Sequence, residues 1–316
     1  MAKYKFGKSE LYVPALSFGG NVFGWTLDEK ESFKMLDELY DNGLTFIDTA
    51  NNYSHWAPGN VGGESEAIIG KWFKESKKRH DIVLSTKVGG RMGDGTKGLK
   101  REYIEGCVDA SLKRLNTDYI DLYFSHYDDL ETSQEETMET FNSLVKAGKV
   151  RYLGASNLEV ERIDSSNAIA REKGWAEYIA IQPLYNLYDR EKYEHEYLPL
   201  VEEEKLAVMS YFALASGFLS GKYRNLDDIE GSSRKDMVKG YINERGMRII
   251  DQLEILAKQH NATIAEIAIA WQVHKPSIST PIVSATSSSQ LKSLIRSTEI
   301  KLSVEEVALL DKISEY

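Results

Sequence analysis

Four polar side chains of different chemistry follow short apolar runs, and together they could move a proton. Asp48 follows the run at 45–47, Tyr53 lies in the next loop, and Lys87 and His126 follow two later runs. A tyrosine with its reference pKa of about 10 is a poor acid at neutral pH. An adjacent ammonium stabilises its phenolate, and a carboxylate keeps a partly buried ammonium charged. We therefore expect Lys87, supported by Asp48, to lower the pKa of Tyr53.

These residue types indicate acid–base chemistry at a carbonyl or an alcohol. Tyr53 would be the general acid for reduction and the general base for oxidation. His126 would donate or accept a hydrogen bond that orients the substrate oxygen. Each side chain also has an ordinary alternative role: Asp48 could cap a loop, Lys87 could extend into solvent, and His126 could be a hydrogen-bonded rim residue. Convergence of all four on one pocket favours the catalytic interpretation.

The elements that must position these residues are short β-rich runs that alternate with segments of helical period. The predicted strands lie at 15–18, 45–47, 82–86, 120–124, 150–154, 179–181, 207–210 and 280–283. The predicted helices between them include 28–41, 103–115, 136–146, 160–172 and 264–273. A polar β-hairpin at 5–12 precedes the series, and a helix is expected at the C-terminus.

Eight strand–helix units in sequence predict an α/β fold, a closed parallel (β/α)8 TIM barrel that forms a single domain over residues 1–316. The competing arrangement is an open doubly wound sheet, which usually has fewer strands and a phosphate loop after its first strand. The first strand here leads into Gly19-Gly20-Asn21, which lacks that loop's pattern. In a barrel, functional residues follow the carboxyl ends of the strands, where the four side chains above are found.

One glycine pattern imitates a dinucleotide-binding loop. The residues at 93–98 spell G-x-G-x-x-G, but they begin several residues after the third predicted strand has ended. The tight strand–turn–helix connection that this pattern needs is therefore missing, and the segment is predicted to be an ordinary loop.

Composition limits the partners and the compartment. The formal net charge of −10 opposes binding to nucleic acid, so an anionic cofactor must be held by local donors. No apolar run approaches the roughly 20 residues of a membrane helix, and the N-terminus has no signal-like apolar segment. The single cysteine, Cys107, cannot form an internal disulfide and fits a reducing compartment. These features favour a cytoplasmic protein.

Several stretches resemble the aldo-keto reductase superfamily, in the same order. The stretch at 43–50, followed by Tyr53, Gly63-Glu64 and Ile69-Gly70, is similar to the family signature. The further matches are Ser85-Thr86-Lys87, the H-x-x-D at 126–129, Gly154 to Asn157 and Gln182-Pro183. The similarity covers nearly the whole chain and is closest to the bacterial branch that also resembles potassium-channel β-subunits. It implies NADPH-dependent carbonyl reduction on a (β/α)8 barrel, with Asp48, Tyr53, Lys87 and His126 as a catalytic tetrad and no metal.

The resemblance also implies a cofactor site. Near the nicotinamide carboxamide, the residues would be Asp48, Ser156, Asn157 and Gln182, with Tyr211 against the ring and Gly20 and Asn21 along the approach. A loop around the phosphates would contain Leu214, Gly217, Leu219, Lys222 and Arg234. The residues near the adenosine would be Ser284, Thr286 and Gln290. Many relatives have a basic pair for the 2′-phosphate and a Glu-Asn pair for adenine after the eighth strand. This chain has hydroxyls, an amide and Ser293-Leu294 there. NADH therefore stays open as an alternative to NADPH.

Two tryptophans, Trp25 and Trp56, are the candidate walls of a substrate pocket, with packed surface as their alternative role. Two other functions are compatible with parts of the sequence. Lys87 could be the Schiff-base nucleophile of a barrel aldolase, although that leaves Asp48 and Tyr53 unexplained. The chain could also be a cofactor-binding regulatory or redox-sensing subunit with little turnover, since the resemblance extends to channel β-subunits.

Overall fold

Strands and helices alternate along most of the chain in a computed structural model that describes residues 1–231 and 234–316. The strands are β1 (Lys3–Lys5), β2 (Tyr12–Pro14), β3 (Ser17–Gly19), β4 (Phe46–Asp48), β5 (Val83–Val88), β6 (Ile120–Ser125), β7 (Val150–Ser156), β8 (Tyr178–Gln182), β9 (Ala207–Val208) and β10 (Ile282–Val283). The α-helices are α1 (Glu29–Asp41), α2 (Glu64–Ser76), α3 (Arg101–Leu115), α4 (Gln134–Lys146), α5 (Val160–Lys173), α6 (Leu198–Glu204), α7 (Lys235–Val238), α8 (Glu244–Gln259), α9 (Ile264–Val273), α10 (Ser288–Ser297) and α11 (Val304–Ile313).

The eight predicted runs all form parallel strands, with ends displaced by no more than two residues. They lie in one curled sheet in the order β10-β3-β4-β5-β6-β7-β8-β9. The predicted N-terminal hairpin is confirmed, because β1 and β2 pair antiparallel with Lys3 opposite Pro14. Backbone hydrogen bonds also reach between the two ends of the sheet order. Ile282 N–H donates to Ser210 O at 2.8 Å, and Thr280 N–H donates to Val208 O at 3.1 Å.

Helix α1 illustrates why these segments form helices. Its N-cap Asp28 accepts from the Glu31 backbone N–H while the Glu31 carboxylate accepts from the Asp28 N–H, which satisfies two otherwise unpaired donors. Met35, Leu36 and Leu39 are buried along one side of the helix at helical spacing. Burying each such side chain contributes roughly 1.5–3 kcal/mol, so the face fixes how the helix lies on the sheet.

Alternation along the strands separates two apolar clusters. In β6, Leu122 and Phe124 belong to a small cluster with Phe46, whereas the intervening Tyr123 belongs to the large cluster that the helices cover. Hairpin residues such as Phe6 complete the small cluster on the inner face of the sheet. The hairpin therefore packs against this inner face. Polar side chains continue the series of inward-facing residues at the carboxyl ends of the strands.

Close strand packing also requires a glycine. A Cβ built on Gly154 in β7 would lie 2.3 Å from a ring carbon of Phe124 on the neighbouring strand. Any larger residue would push the Phe124 ring or the strand itself aside. In the ranges 1–231 and 234–316, no helix has the length and apolar character needed to cross a membrane.

Candidate active site

The Lys87 ammonium lies at the centre of the predicted cluster. Its nitrogen donates to Asp48 Oδ2 at 2.6 Å, to the Thr49 backbone oxygen at 2.8 Å and to the Tyr53 hydroxyl at 2.9 Å. The side chains of Lys87 and Asp48 are both fully buried, so water does not compete for these bonds. An ammonium has three donors, and all three are used. A Schiff base needs an amine with a free lone pair, so this geometry disfavours the aldolase interpretation.

Asp48 is held by its second oxygen as well. Ser85 donates from its hydroxyl to Asp48 Oδ1 at 2.7 Å, and Gln182 donates from its amide at 3.1 Å. Asp48 in β4 lies directly opposite Ser85 in β5, which explains the short contact. Sequence reasoning missed Ser85. The sequence contained one signal for it: Ser85 is two residues before Lys87 on the same strand, so both side chains lie on the same face.

The pKa of Tyr53 differs in direction from the sequence-based expectation. The Tyr53 hydroxyl lies 3.4 Å from Asp48 Oδ2, and the Lys87 nitrogen lies 4.6 Å from the centre of the Tyr53 ring. Burial, followed by the charge of Asp48, raises the pKa of Tyr53 well above its ordinary value. The prediction that Lys87 lowers this pKa is therefore wrong for the cofactor-free protein. The carboxylate that keeps the ammonium charged also repels a phenolate, so Tyr53 keeps its proton.

His126 lies beside Tyr53 at the end of β6. The two ring centroids are 6.0 Å apart, and the His126 backbone N–H donates to the Val88 oxygen at 2.8 Å. Burial and the nearby Lys87 ammonium hold the pKa of His126 well below its ordinary range. The imidazole is therefore neutral at pH 7, and it can offer one donor and one acceptor nitrogen.

The residues assigned to the nicotinamide end lie together. The Ser156 hydroxyl donates to the Gln182 backbone oxygen at 2.9 Å, and the Asn157 amide donates to Ser156 Oγ at 3.0 Å. The Tyr211 hydroxyl donates to Asn157 Oδ1 at 2.9 Å. Asn157 has a φ of 54°, a left-handed conformation that asparagine tolerates better than most residues. Gln182, which also contacts Asp48, connects this group to the tetrad.

Gly20 and Asn21, which follow β3, lie close to Ser284, which follows β10. The Ser284 hydroxyl lies within donating distance of the Gly19 backbone oxygen, at 2.9 Å, and of Asn21 Oδ1, at 2.8 Å. The Ser65 hydroxyl donates to the Gly20 oxygen at 2.7 Å. A Cβ on Gly20 would lie 3.2 Å from the backbone oxygen of Asp48, so this glycine lies directly beside the tetrad.

Two predicted phosphate ligands, Lys222 and Arg234, lie close to one glycine. A Cβ on Gly217 would lie 3.5 Å from the Lys222 ammonium nitrogen and 3.5 Å from Arg234 Nη1. Arg234 also donates to the Ser216 backbone oxygen at 3.2 Å. Four residues of this segment have positive φ, from 47° to 96°: Phe212, Ala215, Ser216 and Gly217. Such conformations cost free energy in non-glycine residues and recur at ligand clamps.

The remaining cofactor candidates have different surroundings. Leu219 is fully buried and Leu214 is partly buried against the core, so Leu219 can meet a ligand only through its backbone. Thr286 and Gln290 are exposed at the start of α10. Gln290 Oε1 accepts from the Thr286 backbone N–H at 2.8 Å and from its hydroxyl at 3.2 Å.

The two tryptophans form an aromatic edge beside Tyr53. The Trp25 and Trp56 rings meet edge to face at 5.6 Å, and Trp56 meets Tyr53 at 6.0 Å. Both are partly exposed, at 36% and 43%. Tyr127, which sequence reasoning did not single out, lies 4.8 Å from the His126 ring and is 49% exposed. Its position directly after His126 was the only sequence signal.

Among residues 1–231 and 234–316, no group of three histidine, cysteine or acidic side chains is arranged to hold an ion.

Comparison with known proteins identifies the family of this chain. The model of the aldo/keto reductase family matches residues 15–315. The chain is 33% identical to an uncharacterized oxidoreductase, YrpG, of Bacillus subtilis, with 97% of this chain and 94% of the relative covered. It is 34% identical to a probable voltage-gated potassium channel subunit beta of Arabidopsis thaliana, over 99% of this chain and 96% of the relative. It is 33% identical to the aldo-keto reductase YhdN of Bacillus subtilis, over 97% and 90%. A family match of this extent, together with relatives similar along their whole length, shows that the chain belongs to the aldo/keto reductase family.

Proposed function

We propose that this protein is an NADPH-dependent oxidoreductase that reduces an aldehyde or a ketone to the alcohol. Tyr53 is the general acid in that direction and the general base in the other, assisted by Lys87, Asp48 and His126. The observation that carries the proposal is the buried Lys87 ammonium, which lies within hydrogen-bond distance of both the Asp48 carboxylate and the Tyr53 hydroxyl. Membership of the aldo/keto reductase family supports the same reaction class.

The residues of the chain fit a nicotinamide dinucleotide. Near the tetrad, Ser156, Asn157 and Gln182 offer hydroxyl and amide groups suited to a carboxamide, and the Tyr211 ring is held beside them by its bond to Asn157. At the other end, Lys222 and Arg234 bring two positive charges to the backbone at Gly217. These cations matter because the chain carries a net charge of −10, which otherwise repels phosphates.

When bound, NADPH supplies the hydride that reduces the carbonyl carbon. Negative charge then develops on the carbonyl oxygen, and Tyr53 donates its proton to that oxygen. Lys87, whose nitrogen lies 2.9 Å from the phenol oxygen, stabilises the phenolate that remains. Asp48 keeps the buried ammonium charged. The high pKa of free Tyr53 suits this order of events, because the proton stays on the phenol until a stronger base forms beside it.

We propose that NADPH is preferred over NADH through Lys222 and Arg234. A 2′-phosphate adds negative charge that these two cations can meet, and charge-assisted hydrogen bonds are the stronger kind. Ser284, Thr286 and Gln290 offer only neutral groups, so they contribute less to this preference. Gly20 and Asn21 line the approach, and the backbone of Leu214 and Leu219 completes the loop.

Trp25 and Trp56 form a wall of the proposed substrate pocket. Their edge-to-face contact and the contact of Trp56 with Tyr53 support this assignment, because they put exposed aromatic surface next to the proton donor. Tyr127, whose ring lies next to that of His126, also lines this pocket.

We further propose that the curled sheet is a complete (β/α)8 barrel and that residues 1–316 form one domain. The backbone hydrogen bonds from Ile282 to Ser210 and from Thr280 to Val208 support closure, since they join the ends of the sheet order. The family match over residues 15–315 supports the single domain. A cytoplasmic location, and the lack of nucleic-acid and membrane partners, stay predictions from composition.

A direct test is to mix the protein with NADPH and a panel of aldehydes, sugars, dicarbonyls and ketones, and to follow the loss of nicotinamide absorbance. We expect turnover with at least one carbonyl that is abolished by Tyr53→Phe. NADPH binding with no turnover on the whole panel would contradict the proposal.

A second candidate function rests on one of the comparisons. The similarity to a probable voltage-gated potassium channel subunit beta favours a regulatory or redox-sensing role in which cofactor binding, and not turnover, is the output. This role predicts tight NADPH binding together with negligible reduction of any carbonyl. Single-turnover measurement with excess enzyme separates the two, because a sensor would oxidise bound NADPH far more slowly than a reductase.

A further inference from the structure

Two buried polar atoms beside the tetrad have no hydrogen-bond partner. They are His126 Nδ1 and Asn52 Oδ1. Both side chains are largely buried, His126 with 8% and Asn52 with 6% of its surface exposed. An unpaired buried polar atom costs free energy, and such atoms are few in folded proteins. Two of them so close to a proposed proton-transfer site therefore require a physical explanation.

Gly90 shows how near the two side chains are. A Cβ built on Gly90 would lie 2.6 Å from Asn52 Nδ2 and 2.9 Å from His126 Nδ1. The two nitrogens are therefore at most 5.5 Å apart, the sum of those distances. A small rotation of the Asn52 side chain can bring Nδ2 within hydrogen-bond distance of Nδ1 across such a gap. Glycine at position 90 leaves the space between them open.

The Asn52 amide has a fixed direction. Its Nδ2 donates to the Arg91 backbone oxygen at 3.3 Å, and a flipped amide would put Oδ1 against that oxygen instead. The flipped form is disfavoured because two acceptors would then face each other. The Asn52 atom nearest the Cβ position of Gly90, which His126 Nδ1 also approaches, is therefore the donor Nδ2.

We propose that Asn52 is a positioning residue that sets the tautomer of His126. A hydrogen bond donated by Nδ2 directly to Nδ1 requires Nδ1 to be an unprotonated acceptor. The imidazole is neutral, so its single proton is then on Nε2. Nε2–H is the form that can donate to a carbonyl oxygen, whereas the other tautomer would present a lone pair to it. This inference rests on the proposed function for its catalytic meaning, but the tautomer itself is a property of the free protein.

The test is nitrogen-15 NMR of protein labelled at histidine, with the His126 signals assigned from their absence in His126→Gln. In the wild-type protein we expect the pattern of a protonated Nε2 and an unprotonated Nδ1. Asn52→Asp replaces the donor by an acceptor, so it should move the proton to Nδ1. A protonated Nδ1 in the wild type, or a wild-type pattern that persists in Asn52→Asp, would overturn the proposal.

Two further variants separate positioning from mere stability. Gly90→Ala puts a methyl group between the side chains without a φ that disfavours alanine, and it should mix the two tautomers. Asn51→Asp is the matched control. It adds the same charge one residue away, where the Asn51 amide faces Cys107, and it should leave the His126 pattern unchanged. If Asn52→Asp does not fold, Gly90→Ala alone decides, and an unchanged tautomer there overturns the proposal.

Activity gives an independent arm. Asn52→Leu should lower kcat for carbonyl reduction about three- to tenfold, the size expected for one lost orienting hydrogen bond, while the Kd for NADPH stays unchanged. Unchanged kcat in this variant would overturn the positioning role. If the wild-type protein reduces no carbonyl but shows the expected tautomer, the proposed function fails while the assignment of the tautomer stands.

Discussion

The Lys87 ammonium and the Asp48 carboxylate form an ion pair of 2.6 Å in which neither side chain is exposed to solvent. A pair buried to this degree gains little from being ionic, but each partner depends on the other. Removal of one leaves an uncompensated charge in a site that water does not reach. The pair therefore couples the stability of the fold to the chemistry proposed for Tyr53.

Asp48→Asn should destabilise the protein by about 3–5 kcal/mol, because it leaves the Lys87 ammonium buried without a counter-charge. Urea unfolding followed by circular dichroism measures this loss. The matched control is Asp109→Asn, which breaks the surface pair of Asp109 with Lys149 and should cost less than about 1 kcal/mol. Equal losses in the two variants would show that burial of the Lys87 pair has no special effect.

In the cofactor-free protein, the Tyr53 phenol should not ionise until the pH is well above the ordinary pKa of tyrosine. Burial and the Asp48 carboxylate both disfavour the phenolate. The tyrosinate absorbance of wild-type protein minus that of Tyr53→Phe isolates this group. The difference should stay flat up to about pH 10, the reference value for tyrosine. A step near pH 7–8 would instead support the original expectation that Lys87 lowers the pKa.

His126 should make the protein less stable in acid. Its pKa is lowered in the folded state, so the unfolded chain binds one more proton than the native state below about pH 6.5. The stabilisation is present above that pH and is lost as the pH falls toward the folded pKa, at up to about 1.4 kcal/mol per pH unit. Free energies of unfolding for wild type and His126→Gln should therefore keep a constant difference at pH 7–8 and converge below pH 6. A constant difference throughout would contradict this.

Lys222→Met should raise the Kd for NADPH by about tenfold and the Kd for NADH by less, because the 2′-phosphate adds the charge that Lys222 meets. Fluorescence titration of both cofactors measures the two constants. Lys146→Met, at the end of α4, is the control and should change neither constant. An unchanged preference for NADPH in Lys222→Met would locate the phosphate site elsewhere.

Much of the fold was predictable because hydrophobic periodicity alone defines the strand–helix units. The ends of short strands were less predictable from the sequence. The strand predicted at 207–210 is β9, which ends at Val208, two residues before the predicted end. Beyond that end, the Ser210 backbone oxygen accepts from the Ile282 N–H in β10, and the Ser210 hydroxyl donates to Gln272 Oε1 in α9. Such contacts join residues far apart in sequence, and no local pattern encodes them.

The proximity of Asp48, Tyr53, Lys87 and His126 was predictable for a different reason. Asp48, Lys87 and His126 each lie within one residue of the carboxyl end of a strand, and parallel strands bring these ends together. The pKa of Tyr53 was not predictable, because its direction depends on how burial and the Asp48 charge compare with the charge of Lys87. Asn52 was missed for the same reason: its contact with Gly90 depends on three-dimensional packing.

Tyr53→Phe tests the central claim most directly. The variant keeps the ring beside Lys87 and Trp56 but removes the proton that the reaction needs. Tyr4→Phe is the control, since it removes the hydroxyl of an exposed tyrosine in β1 that has no proposed role in the site. We predict that kcat for carbonyl reduction falls about 10²- to 10⁴-fold in Tyr53→Phe and by much less in the control, with an unchanged Kd for NADPH in both. Full reductase activity in Tyr53→Phe would contradict the account.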